Sequence, residues 1–126
     1  MHDTNFHAAW LWILAGLLTG TAIGLFFHDP DWMGGYASWR RRMMRLGHIS
    51  FFGTAFLNLA FVLSAEHLHL SEPPPVASAG FLLGAISMPL ICFLSAWRPL
   101  FRRLFFIAVA SLIVAICDFL VQGLWR

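Results

Sequence analysis

Six histidines, an aspartate set in an apolar run and seven arginines gathered into two clusters are the residues of this 126-residue chain best suited to do chemistry. Imidazole changes charge near neutral pH and is the commonest metal-ligating side chain. His48 stands three residues beyond Arg45, and His28 closes the first apolar run. Two such imidazoles on adjacent helices could hold a haem iron between them. A second set, His7, His67 and His69 with Asp3, Glu66 and Glu72, has the imidazole and carboxylate groups of a zinc or copper site, and His2 lies near it. His67-x-His69 forms a pair if its backbone is extended. Asp118, with Asn58, is the candidate for carrying a proton or bonding across a helix interface.

These groups must be positioned by membrane-spanning elements. The chain is 60% hydrophobic and only 11% charged, with a mean hydropathy of +0.75. A soluble domain carries about 25% charged residues, and one this short would expose large apolar patches. Four apolar stretches approach the ~20 residues a helix needs to cross the hydrocarbon layer: 8–27, 46–65, 76–97 and 104–122. Backbone groups in lipid must bond within the segment, so each is predicted to be α-helical. The expected architecture is an all-α, four-helix, up-and-down antiparallel membrane bundle forming one domain.

Arginine placement predicts the orientation. Arg40, Arg41, Arg42 and Arg45 fall in the first connection and Arg98, Arg102 and Arg103 in the third, leaving Arg126 alone at the other end; there is no lysine. Basic connections stay cytoplasmic. Both termini and the middle connection, 66–75, are therefore expected on the outer, periplasmic side of a bacterial inner membrane. The outer histidines then share one face, and His48 and His28 lie near the inner interface. Residues 38–45 are expected to form a helical lead-in along the headgroups, the arginines anchoring to lipid or to a partner. Asp29 and Asp31 are candidate partners for them, and Pro30, Gly34 and Gly35 mark the preceding turn. Trp10, Trp12 and Trp125 are read as one interfacial belt, Trp32, Trp39 and Trp97 as the other. The N-terminal peptide lacks the basic residues of a secretory signal, so the first span is expected to be retained. Positive charge confined to the membrane surface argues against nucleic acid as a partner.

Small residues predict how the helices meet. Gly16, Gly20 and Gly24 recur every four residues, as do Gly80 and Gly84, the pattern that lets helix backbones approach. Gly47, Ser50, Thr54 and Asn58 share one side of the second span; Ser111, Ala115, Asp118 and Gln122 share one side of the fourth. Pro89 lies inside the third helix and frees the carbonyl of Ala85. Cys92 and Cys117 form no CxxC pair and read as packing residues.

The histidine pairs, His7 with His28 and His48 with His67, resemble those of two-haem membrane cytochromes b, where each helix supplies an inner and an outer ligand. Their separations of 21 and 19 residues exceed that family's and would place the ligands about 30 Å apart, at the bilayer edges. In length and span count the chain is similar to small multidrug transporters, but residues 8–27 contain no acid to match their first-helix glutamate. It is similar in span count to the four-span quinone-linked thiol oxidases, without their paired cysteines. No nucleophile–base or phosphate-loop motif points to an enzyme. The sequence thus reads as a non-catalytic accessory subunit of a larger membrane complex for respiratory or photosynthetic electron transfer. Haem b, (bacterio)chlorophyll or quinone would be held nearby, and membrane lipids and other subunits are the partners. The alternatives are a haem- or pigment-binding electron carrier using His48 with His28, and a transporter or metal-handling protein using Asp118 and the outer histidines.

Overall fold

The computed structural model describes the backbone of residues 2–125 and the side chains of residues 3–125; Arg126 and the His2 side chain lie outside the described residues. Four long helices follow one another: α1 His2–Gly24, α2 Trp39–His67, α3 Pro75–Trp97 and α4 Phe105–Phe119. A 3-10 turn at Pro99–Leu104 leads into α4 and a π-helical turn at Leu120–Leu124 extends it. All four segments are long and apolar enough to cross a membrane.

The helices start and stop for local reasons. Asp3 sits in the first turn of α1, where the helix dipole favours a negative charge, so α1 begins before the apolar run does. Ser38 caps α2 by accepting the Arg41 N–H at 3.2 Å, while its own hydroxyl donates to Met33 O at 2.7 Å. The basic run is therefore helical, as expected, and continuous with the second apolar run as the first two turns of α2. Ahead of it, Met33, Gly34 and Gly35 all have positive φ, a reversal that two adjacent glycines make possible. Leu70 N–H reaches Ala65 O and His69 N–H reaches Glu66 O, closing α2 with a Schellman motif. His69 occupies its left-handed position, at φ 52°.

Successive helices run antiparallel. His48 lies against Gly20, and Asn5 against Asn58, along α1 and α2. Trp39 meets Ser95, and Phe61 meets Phe81, along α2 and α3. Gly84 faces Leu112, and Ala77 meets Asp118, along α3 and α4. This course puts the described chain ends beside the 68–74 connection, and both arginine clusters at the opposite end. The bundle is not equally closed on all sides. Half of the apolar window of α3 is buried, against 11% of that of the segment containing α4. α3 is the central helix and α4 a flank.

The burial pattern is inverted relative to a soluble protein. Ala9, Ala55, Ala65, Ala77, Ala108 and Ala115 are buried with Asn5, Thr54, Asn58, Ser78 and Ser95, while Leu11, Leu14, Leu18, Phe56, Phe106 and Ile113 face outward. Small and polar residues between helices with large apolar ones outside suit lipid as the solvent. A larger apolar patch, Phe61, Val62, Phe81 and Ala115, gathers where α2, α3 and α4 meet.

Candidate functional site

The polar groups inside the bundle concentrate at four places. At the end shared by the termini, Asn5 donates to Asn58 Oδ1 at 2.8 Å and to Ser78 O at 3.1 Å, and Ser78 Oγ donates back to Asn5 Oδ1. Asn58 donates in turn to Thr54 O and Phe81 O, at 2.9 and 3.2 Å. Asn5 and Asn58 are completely buried. One network so ties α1, α2 and α3, and with both amides engaged it satisfies groups that would be costly to leave unpaired. The spacing along the second span places Asn58 at an interface, as found. Asn5 escapes sequence reasoning, because it precedes the apolar run and reads as part of a solvated tail; only its amide type signals otherwise.

Halfway along, the Trp12 indole donates to Ala85 O at 2.6 Å. Pro89 has no N–H to offer that carbonyl, so a tryptophan from α1 supplies the missing donor. Trp39 likewise donates to Ser95 O at 2.8 Å, in the last turn of α3. These two tryptophans, expected in the interfacial belts, are half-buried helix-to-helix ties.

At the arginine end, Arg41 is wholly buried, unlike Arg40 and Arg42, which are exposed, and Arg45, which is half-buried. Its Nη1 donates to Asp29 O and Pro30 O at 3.1 and 3.3 Å, and its Nη2 to Phe27 O at 3.3 Å. Its guanidinium carbon lies 4.3 Å from the Tyr36 ring centre, 5.1 Å from Phe27 and 5.5 Å from Trp32. Carbonyl oxygens and aromatic faces both stabilise a cation. Arg41 therefore holds the turn after α1 and is not available as a headgroup anchor. The aspartates are used differently from expectation: Asp29 meets Arg41 through its backbone carbonyl, and its carboxylate accepts the Asp31 N–H at 2.9 Å. Arg98, Arg102 and Arg103 are exposed at the same end.

Asp118 lies near the end of α4. One carboxylate oxygen accepts the Ala77 N–H at 2.9 Å, in the first turn of α3, and the other accepts from Gln122 Nε2. Pro74, the residue preceding α3, offers no capping side chain. Asp118 supplies that cap from the neighbouring helix, meeting both the unpaired N–H and the positive end of the dipole.

The histidines are dispersed. His48 is half-buried, its ring seated on α1: a Cβ at Gly20 would lie 2.9 Å from His48 Nε2 and 3.0 Å from Nδ1. Thr19 Oγ1 lies 3.5 Å from Nδ1, and Phe52 packs edge-on at 5.4 Å. Both ring nitrogens thus lie beside the α1 backbone, in the space that Gly20 vacates. His28 is exposed in the turn after α1. His7 is exposed with Nδ1 beside Asp3 O. His67 ends α2 and His69 is the left-handed residue after it, so the segment is not the extended one that an HxH ligand pair requires. Among the described residues no three His, Cys, Asp or Glu side chains come close enough together to hold a metal ion.

The expected glycine stripes divide by what they admit. Gly80 lets α4 in: its Cβ would meet Ser111 O at 2.8 Å. Gly84 receives Leu112, Gly16 receives the Phe52 ring and Gly20 receives His48, so these three accommodate side chains. Gly24 has nothing within 4 Å among the described residues. No family model matches this chain, and the searches of curated proteins and of solved structures return no match.

Proposed function

We propose that this chain is a non-catalytic accessory subunit of a larger membrane assembly, a scaffold of fixed shape rather than a carrier or an enzyme. One observation supports the reading above the others: the interior groups capable of chemistry are engaged in holding helices together. Asn5, Asn58 and Ser78 tie three helices, Asp118 caps α3, Arg41 secures the turn after α1, and His48 fills the space over Gly20. Asp118 is half-buried and lines an outward-opening hollow with Val76, Ile113 and Val114, but both its carboxylate oxygens are already engaged, by the Ala77 N–H and by Gln122. The outer faces of α1 and α4 carry large apolar residues, while Arg40, Arg42, Arg98, Arg102 and Arg103 are exposed at one end. With that end cytoplasmic, as basic connections require, both termini face the periplasm of a bacterial inner membrane. The arginine end would meet lipid headgroups and acidic segments of a partner subunit.

Extraction of the chain from its native membrane in mild detergent tests this. A particle well above 14.2 kDa, containing a second membrane polypeptide in fixed ratio, is expected. A monomer or a self-assembly alone would overturn the reading. A visible spectrum of the same sample separates the haem alternative: a Soret band lost on His48→Ala would replace the scaffold by an electron carrier.

A further inference from the structure

Where α3 and α4 meet, a groove of about 600 Å³ opens along the outside of the bundle. Ala79, Gly80, Ala110 and Ser111 contribute small residues to it, Val76 and Leu83 line it from α3, and Phe106, Ile107 and Val114 line it from α4. The concavity exists because Gly80 lets α4 approach through Ser111 while the larger neighbours stand outward. Its lining is almost entirely hydrocarbon, and the one hydroxyl, on Ser111, already donates to Ala108 O at 2.8 Å.

The groove has a charged end. Arg102 and Arg103 are exposed in the 3-10 turn that leads into α4, four residues before Phe106 and Ile107, which line the groove. Asp118 lies beside Ala77 at the far end of α4, 15 residues from Arg103. An apolar trough with two guanidiniums in the turn before its α4 wall, and a carboxylate only beyond its opposite end, matches an amphiphile with an anionic head. Its volume falls in the ~300–1,000 Å³ range of small-molecule sites.

We propose that the α3–α4 groove seats an acyl chain of an anionic phospholipid, with its phosphate held by Arg102 and Arg103. Arginine suits that task because its planar fork can bond two phosphate oxygens at once. A second transmembrane helix is the competing occupant, but among the described residues the groove offers it no free polar group to bond.

Native mass spectrometry of the full chain, titrated with dioleoyl phosphatidylglycerol or dioleoyl phosphatidylcholine, tests the proposal. One phosphatidylglycerol should be retained about 25-fold more strongly than phosphatidylcholine, since each guanidinium near the surface contributes roughly a fivefold preference. Arg102→Gln with Arg103→Gln, both at exposed positions, should reduce the preference to about twofold or less. Ala110→Phe should fill the groove and weaken retention of both lipids, helix content being checked by circular dichroism. A photocrosslinker at Val114 covers the case in which Ala110→Phe fails to fold: it should capture lipid. No preference in the parent chain, a preference surviving the double substitution, or capture of polypeptide alone would overturn the proposal. Lipid retention is read on the purified chain, so it stands or falls separately from the search for a partner subunit.

Discussion

The two long sides of α3 are held by different physics. Towards α1 and α2, α3 is bonded at Ser78, Phe81, Ala85 and Ser95, each through a backbone carbonyl receiving a side-chain donor. Towards α4 there is, among the described residues, one such tie, Ala77 N–H to Asp118, and the rest is close packing over Gly80 and Gly84. Hydrogen bonds specify a register, because a slip breaks them all; packing of small against large residues specifies mainly a distance. The comparison separates a bonded three-helix unit, α1–α2–α3, from a packed flank, α4.

The largest expected effect comes from breaking the bonded side. Asn58→Leu leaves Asn5 and Phe81 O without their partner in a buried place, and should cost about 2–3 kcal/mol. Cys92, fully buried in α3, reports the damage. In a Cys117→Ser background, maleimide labelling of Cys92 should accelerate markedly in the variant. Unchanged protection together with unchanged unfolding in mixed micelles would mean that the amide network does not hold α3.

The packed side should respond to volume and not to polarity. A Cβ at Gly84 already collides with Leu112, so Gly84→Leu should displace α4 at a cost of about 2 kcal/mol. Cys92 should stay protected, because it lies against Ser50 of α2, on the side of α3 away from Leu112. Gly24 provides the contrast: with nothing within 4 Å among the described residues, Gly24→Ala should be neutral or slightly stabilising, since alanine is the better helix former. Equal losses at both positions would erase the distinction between a packing glycine and an incidental one.

The packed side is the more legible in the sequence. Helix-forming apolar runs are a property of composition, and the Gly80/Gly84 spacing shows on inspection. The polar stripe Gly47, Ser50, Thr54 and Asn58 is also buried as its spacing implies. The bonded side is legible only in part. Pro89 announces an orphan carbonyl at Ala85, but nothing local to Trp12 says that it supplies the donor from α1. Arg41 cannot be told from Arg40 or Arg42 by type; its burial depends on the rotational phase of α2 against the turn before it. His69 reads as extended until the Schellman closure assigns it a positive φ. Such residues are fixed by three-dimensional register, which spacing along one helix does not contain.

Asp118 offers the finest test of the comparison, because it carries the hydrogen bond that ties the packed side to α3. Asp118→Asn keeps an oxygen for the Ala77 N–H but loses the charge facing the α3 dipole and the oxygen that accepts from Gln122 Nε2, a change of about 1 kcal/mol. A scaffold should tolerate it: unfolding shifts slightly, Cys92 stays protected and assembly with the partner persists. A proton carrier would not, since an amide cannot cycle a proton. Reconstitution of the native assembly with the Asp118→Asn variant therefore decides between a cap and a carrier. Proton-linked activity lost from an assembly that remains intact would transfer Asp118 from architecture to mechanism.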